Sequence, residues 1–292
     1  LKNKRIYMQE LSKELECFLE QSGMKPSALA RAIGASASLI SQIKSASYKG
    51  DVALWSKKIR DFIANHKDKQ NEKPKKEQLF RSRDFSMATF VMSEAVNEKE
   101  IALIFGEAGT GKTTIINEFI KTRPQSILIE ATCHTSVGVM LDELLNALKI
   151  EANSNNASKL KAIARFLKTN EKILIVDEAE YLPLKALEDL RRIADFARVP
   201  LILVGTEILY KNLMGKNKEL KQLYSRICGK WMMRGLSKEE SDEFFGKGYF
   251  KFSNGNFRSS AKLLKKALRL AELEECEIND ELLTSASEMV IL

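Results

Sequence analysis

The chain has 292 residues, 44% of them hydrophobic, enough for two or three domains with proper cores. No apolar run approaches the ~20 residues of a membrane span and the basic N-terminus leads into no secretory segment, so a soluble cytoplasmic protein is expected. The formal charge of +8 is uneven: residues 1–78 hold 16 Lys+Arg against 9 Asp+Glu, leaving 31 against 30 for the rest, which suggests a polyanion-binding appendage on a nearly neutral body, with a solubilising tail as the competing explanation.

In chain order, the first block is predicted to be all-helical, because Leu11, Leu15, Phe18 and Leu19, and again Leu54, Ile59, Phe62 and Ile63, recur at helical spacing. Within it, SALARAIGASASLISQIKS (Ser27 to Ser45) has the spacing of a helix-turn-helix. Small Ala30 permits close helix approach, Gly34 makes the turn, and Leu29, Ile33, Ile40 and Ile43 fill the space between the helices. The second helix is expected to begin near Ser36 and to present Ser38, Ser41, Gln42 and Lys44 outward, hydroxyls and amide toward base edges and Lys44 toward the phosphate backbone. So arginine-poor a face implies weak or nonspecific binding to double-stranded DNA, and a helical hairpin for protein contacts is the alternative.

The segment 67–78, KDKQNEKPKKEQ, has no apolar residue and is expected to be a flexible tether. After it, β-rich runs at 101–105, 127–130, 173–176 and 201–204 alternate with helical patterns, and with a last strand at 230–233 they predict a five-stranded parallel α/β core over 79–235. From Leu236 the pattern is helical again, so residues 236–292 are expected to form a small lid. Cys17, Cys133, Cys228 and Cys276 are far apart; they are expected to be buried thiols in a reducing compartment, with no metal-ligand spacing among them.

The strongest chemical signal is GEAGTGKT, Gly106 to Thr113, between a predicted strand and a predicted helix. Gly106, Glu107, Ala108, Gly109, Thr110, Gly111, Lys112, Thr113 and Thr114 would line a phosphate: glycines let backbone N–H groups turn toward it and the helix start adds its positive end. Lys112 would place its charge at the β- and γ-phosphates of ATP, and Thr113 its hydroxyl on Mg²⁺. ILIVDE, Ile173 to Glu178, reads as the strand whose Asp177 holds the ion and whose Glu178 orients the attacking water. Glu180 reads as a surface residue on the following turn.

Thr206, after the strand LILVG, is a candidate γ-phosphate sensor, with a helix N-cap as the alternative. Arg226 in YSRI is a candidate arginine finger acting on a neighbouring copy's nucleotide, with a surface arginine as the alternative. Arg258 in GNFR could reach the phosphates from the lid, with solvent exposure as the alternative. Lys159, Lys161, Lys185, Arg191 and Arg192 are candidate DNA contacts of the core.

This order of glycine loop, acidic strand end, polar sensor, late arginine and GNFR helix resembles the AAA+ ATPases. Through GEAGTGKTT, VDEAEYLPLKALEDLRRIAD, LILVGT and LYSRI, over nearly the whole chain, it is similar to the transposition ATPases of Mu-like phages. The resemblance implies a AAA+ P-loop core with helical lid, ATP-dependent homo-oligomerisation on DNA as a ring or helical filament, capture of target DNA, and stimulation of strand transfer by a partner transposase in the cytoplasm of a bacterial host. A helicase-loading or replication-initiating ATPase and a nucleotide-gated transcription regulator share enough of these features to stand as alternatives.

Overall fold

The computed structural model describes residues 2–48, 50–71, 79–152, 154–215 and 221–291. They divide into two compact units, 1–79 and 80–292.

The first unit is four helices, α1 (Lys2–Ser22), α2 (Pro26–Ile33), α3 (Ala37–Lys44) and α4 (Val52–Asn71). Pro26 opens α2, where its missing N–H costs nothing. Gly34 closes that helix in the left-handed region (φ 71°), returning its N–H to the carbonyls of Ala30 and Arg31. Two residues later Ser36 caps α3 by accepting from the Leu39 N–H. This tight turn seats Leu29, Ile40 and Ile43 in one core with Leu11, Leu15 and Ile59, all fully buried. Ala30 is buried as the approach requires, whereas Ile33 is only half-buried. Helix α4 runs through Asn71, five residues into the expected tether: Lys, Asp, Gln and Asn are tolerated on a helix, and Pro74 is the first residue that could not continue it. Residues 72–78 of that segment lie outside the described residues.

The second unit opens with α5 (Arg83–Glu98), which the strand alternation does not reveal, followed by β1 (Ile101–Gly106), α6 (Lys112–Thr122), β2 (Ser126–Glu130), α7 (Val137–Leu148), α8 (Asn156–Thr169), β3 (Ile173–Asp177), α9 (Leu184–Ala197), β4 (Leu201–Gly205), α10 (Glu207–Met214), α11 (Lys221–Tyr224) and β5 (Ile227–Met233). All five strands are parallel, in the order β2-β3-β4-β1-β5. Strands β1, β3 and β4 are buried along their whole length, which is why they read as unbroken apolar runs. Their alternation feeds two cores. Leu103, Leu174, Val176 and Leu203 join α7, α8 and α9 on one face, and Ala102, Ile104, Ile175 and Ile202 join α5 and α6 on the other. Edge strand β5 begins three residues earlier than expected, because Ile227, Cys228 and Gly229 are small or apolar enough to extend the pairing with β1.

The lid comprises α12 (Lys238–Phe244), α13 (Tyr249–Ser253), α14 (Phe257–Leu273) and α15 (Asp280–Glu288), packed around Leu236, Leu263, Leu282 and Leu283. Just past its junction with the core the lid closes on itself: the Leu236 N–H donates to the Gly255 carbonyl at 2.8 Å, and a Cβ on Gly255 (φ 79°) would meet the Leu236 oxygen at 2.0 Å. Buried Asp84 of α5 fixes this junction, accepting from Trp231 Nε1 (2.9 Å) and from the N–H groups of Arg234 and Gly235 (both 2.8 Å).

Of the cysteines expected to be buried, Cys17, Cys133 and Cys276 are exposed and Cys228 is half-buried; the first lies on the solvent side of α1 and the others on loops or an edge strand, where the cores do not reach. No helix among the described residues is long and apolar enough to cross a membrane.

Replacing Asp84 by Ala would strand three donors, one indole and two backbone, beside a hinge they define. We expect Asp84→Ala to lose roughly 3 kcal/mol or more in denaturant unfolding of the full chain, and Asp84→Asn, which keeps acceptor oxygen, to lose less.

Candidate functional site

The site is built where β1 ends. Gly106 lies so near the end of β5 that a Cβ there would meet the Met233 carbonyl oxygen at 2.2 Å, and the chain turns through Gly109 (φ 85°) and Gly111 (φ 100°), conformations that suit glycine. Gly111 is the N-cap of α6 and Lys112 its first residue. The Lys112 side chain folds back so that Nζ donates to the carbonyls of Gly106 and Glu107, both at 2.8 Å, and it is buried. Burial pushes its pKa below the usual lysine value, opposed by the nearby carboxylates of Glu178, Glu180 and Asp177.

Those carboxylates come from the end of β3. Asp177 is buried; its Oδ2 accepts from Thr113 Oγ1 at 3.2 Å and its Oδ1 from the Glu178 N–H at 2.9 Å. Its pKa is pushed up by burial and held back by those two hydrogen bonds. Glu178 sits in the left-handed region (φ 53°), a conformation that costs a non-glycine residue energy and gathers at functional sites. Its pKa is also raised, first by burial and then by Glu180 and Asp177. A hydroxyl and a carboxylate side by side at a helix start form a hard-oxygen donor pair of the kind Mg²⁺ takes, so Thr113 and Asp177 fit the expected ion.

From the lid, the Arg258 N–H donates to the Gly109 carbonyl at 3.1 Å and Asn256 Nδ2 to the Ala108 carbonyl at 2.7 Å. Two clefts flank this contact. One, of about 430 Å³, is lined by residues 108–109 and 111–114 of the loop and by Glu178, Glu180, Thr206 and Arg258. The other, of about 710 Å³, is bounded by Glu107, Thr110, Thr206, Lys211, Arg234 and Arg258 among others.

The remaining residues singled out from the sequence fare differently. Thr206 caps α10, its Oγ1 accepting from the Ile208 N–H at 3.3 Å, and it also borders both clefts. Arg226 is not in its own chain's clefts: its carbonyl accepts from the Ile101 N–H, at the end of the sheet opposite the glycine loop. Its guanidinium lies 3.7 Å from Asp195 and is 61% exposed, open to a second molecule. Glu180 is not a free surface residue. The short 3₁₀ turn Ala179–Tyr181 swings it inward, where Oε1 accepts from the Thr206 N–H at 3.0 Å.

Of the DNA-facing candidates, Ser36, Ser38, Ser41, Gln42 and Lys44 are all exposed on α3 and its cap, although Lys44 pairs with Glu16 at 3.3 Å. Lys185, Lys161 and Arg192 are exposed. Arg191 and Lys159 are less available than helix position suggests: Arg191 is only 11% exposed and held by Glu188 and Asp195, and Lys159 is equally covered and held by Asp142. Sequence reasoning missed Asn256, whose signal was present as an Asn three residues before Ser259 at a helix start, and Asp84, for which no local pattern exists.

One acidic group gathers elsewhere. Glu98, Glu100 and Cys228 bring ligand atoms within 4.8 Å of one another, which distance along the chain did not foretell. Burial, and then the two carboxylates, push the Cys228 thiol up to about 11, so the protonated form dominates near neutrality.

Residues 96–213 match the AAA domain family. The chain is 29% identical over 226 residues to the Mu-like prophage FluMu DNA transposition protein B of Haemophilus influenzae, covering 75% of this chain and 78% of that protein. It is 28% identical over 202 residues to the ATP-dependent target DNA activator B of Escherichia phage Mu, covering 67% of this chain and 64% of that protein; the match therefore spans a little under two thirds of the phage protein's length. Among solved structures, the ORC2 protein of Aeropyrum pernix in its ADPNP-ADP complexes shares the fold, with a TM-score of 0.54 and 16% identity over 71% of this chain and 68% of that chain. The second unit is thus an AAA-type P-loop fold of the ATPase class, in a chain that resembles phage transposition B proteins.

Thiol labelling checks the cysteine environments. At pH 8 we expect Cys17, Cys133 and Cys276 to react promptly with a disulfide reagent and Cys228 to lag, since about one in a thousand of its thiols would be ionised. The Cys228 rate should climb about tenfold per pH unit from 8 to 10; a prompt reaction of all four at pH 8 would contradict the assigned burial.

Proposed function

We propose that this chain is an ATP-hydrolysing, DNA-binding ATPase that assembles on target DNA, presents it to a partner transposase and stimulates strand transfer. The observation that carries the reading is the cluster of Lys112, Thr113, Asp177 and Glu178 under the lid residue Arg258, in the same chain as a helix-turn-helix unit. The names of the similar phage and prophage proteins, an ATP-dependent target DNA activator and a DNA transposition protein, point the same way.

ATP, when bound, supplies the phosphoanhydride bond, and Mg²⁺ offsets the charge of its phosphates. Lys112 contributes a buried ammonium beside the glycine loop, where low dielectric strengthens its attraction for phosphate. Thr113 and Asp177 would hold the ion through oxygen. Glu178, on the wall of the cleft, orients and polarises the attacking water. Thr206 borders the same cleft, and Arg258 brings a guanidinium from the lid. Arg226, exposed at the far end of the sheet, would act in a neighbouring copy, which ties assembly to nucleotide state. DNA contact falls to Ser36, Ser38, Ser41, Gln42 and Lys44, with Lys185 as the more accessible candidate of the core and Arg191 the less.

Two variants test this. Lys112→Ala is expected to abolish ATP binding and, in electron micrographs, ATP-dependent filaments on DNA. Glu178→Gln is expected to bind ATP, to lose about 100-fold or more in kcat, and to leave DNA more slowly than the wild type. Hydrolysis by the wild type should rise when DNA is added. The absence of measurable affinity for ATP with Mg²⁺ would overturn the proposal, and a footprint confined to one defined sequence would favour a transcription regulator.

A further inference from the structure

Glu180 has no part in the roles above, yet two neighbouring turns close on it. The register between β3 and β4 ends at the Val176–Leu203 pair. Beyond it the chain after β3 carries Glu178 and the chain after β4 carries Thr206. The Glu180 carboxylate crosses this gap: Oε1 accepts from the Thr206 N–H at 3.0 Å, and Oε2 is buried with no hydrogen-bond partner. In this pose the carboxylate uses space left by the glycine at 205, since a Cβ there would lie 2.3 Å from Oε2 and 3.0 Å from the Leu209 side chain. An unpaired buried carboxylate oxygen is costly, so the side chain gains nothing from this pose except what its other oxygen and its neighbours provide.

We propose that Glu180 is a positioning residue, clamping the turn that carries Glu178 to the amide of Thr206 so that these two groups keep one spacing across the cleft. The inference deepens the proposed function, resting on Glu178 as the group that orients water; Glu180 acts through Thr206 and the turn between them. A carboxylate displaced by an ångström can cost a large part of the rate while leaving binding intact, so the signature is a loss in kcat without a matching change in KM.

The test uses the full chain and three variants, read by hydrogen exchange at the Thr206 amide without nucleotide and by ATP hydrolysis with Mg²⁺. Glu180→Ala should speed Thr206 exchange by about tenfold or more and lower kcat by about ten- to a hundredfold, with KM within about twofold. Glu180→Gln retains an oxygen that can accept from Thr206, and both readouts should recover to within about threefold of the wild type. Gly205→Ala leaves Glu180 in the chain but puts a methyl group where its carboxylate lies, so it should reproduce the Glu180→Ala pattern. Unchanged Thr206 exchange in Glu180→Ala would overturn the clamp, as would a Glu180→Gln protein as slow in hydrolysis as Glu180→Ala. If Glu180→Ala does not fold, the Gln and Gly205 variants still decide. Exchange is measured without ATP, so a wild type that hydrolyses none would sink the proposed function while leaving the clamp separately judged.

Discussion

The site depends on keeping one ammonium out of water. Lys112 is buried and held by two backbone carbonyls, and burial works against its charge while Glu178, Glu180 and Asp177 work for it. The same three carboxylates crowd one another, which is why burial and mutual repulsion raise Glu178. Each side of this balance needs the other: without the lysine, three acids would share a half-buried cleft with too little compensation, and without the acids a buried amine would tend to lose its proton. An anionic ligand enters a field that is already poised, because the Lys112 carbonyl contacts are neutral acceptors that phosphate oxygens outcompete.

The second organising feature is how the lid meets the core, where the Arg83 N–H also donates to Glu240 of α12 at 2.6 Å. At the hinge, one buried carboxylate gathers three donors, and charge-assisted hydrogen bonds of this kind are about twice as strong as neutral ones. Over the glycine loop, the lid is held by the neutral Asn256 and Arg258 hydrogen bonds at 2.7 and 3.1 Å, each worth about 1 kcal/mol net. That contact carries Arg258, and its neutral hydrogen bonds are ones that ligand binding can remake at small cost.

Much of this was legible in the sequence, for a physical reason. Strands buried on both faces must be apolar at every position, so β1, β3 and β4 announce themselves, and a glycine loop between such a strand and a helix needs no tertiary information. The Gly34 turn and Ser36 cap are equally local. What escaped depends on direction in space. Glu180 reads as one more acid after a strand until the 3₁₀ turn aims it at Thr206. Arg191 and Lys159 read as solvated cations until neighbours on adjacent helical turns or helices claim them. Asp84 looks like an ordinary first-turn acid of a helix, and its partners lie about 150 residues away in sequence. The cysteines show the converse error: a residue type that is usually buried was placed by composition, whereas exposure follows from which side of an element faces a core.

The charge distribution bears on why nucleotide and DNA should be coupled at all. The first 78 residues carry most of the excess positive charge, but the exposed face of α3 offers serines, a glutamine and a lysine already paired with Glu16. Freeing Lys44 for a phosphate means giving up that pair, although an exposed pair is worth little. On the proposed reading, one copy therefore binds a duplex weakly and without strong sequence preference. Weakness is what makes assembly decisive, because linking several weak sites raises the effective concentration of each for the same duplex, and overall affinity then grows with the number joined. A copy that gripped DNA tightly alone would stay bound whatever the state of its nucleotide. A weak reader joined to a nucleotide-dependent interface lets a small change at Lys112 and its carboxylates be read out as occupancy of the duplex.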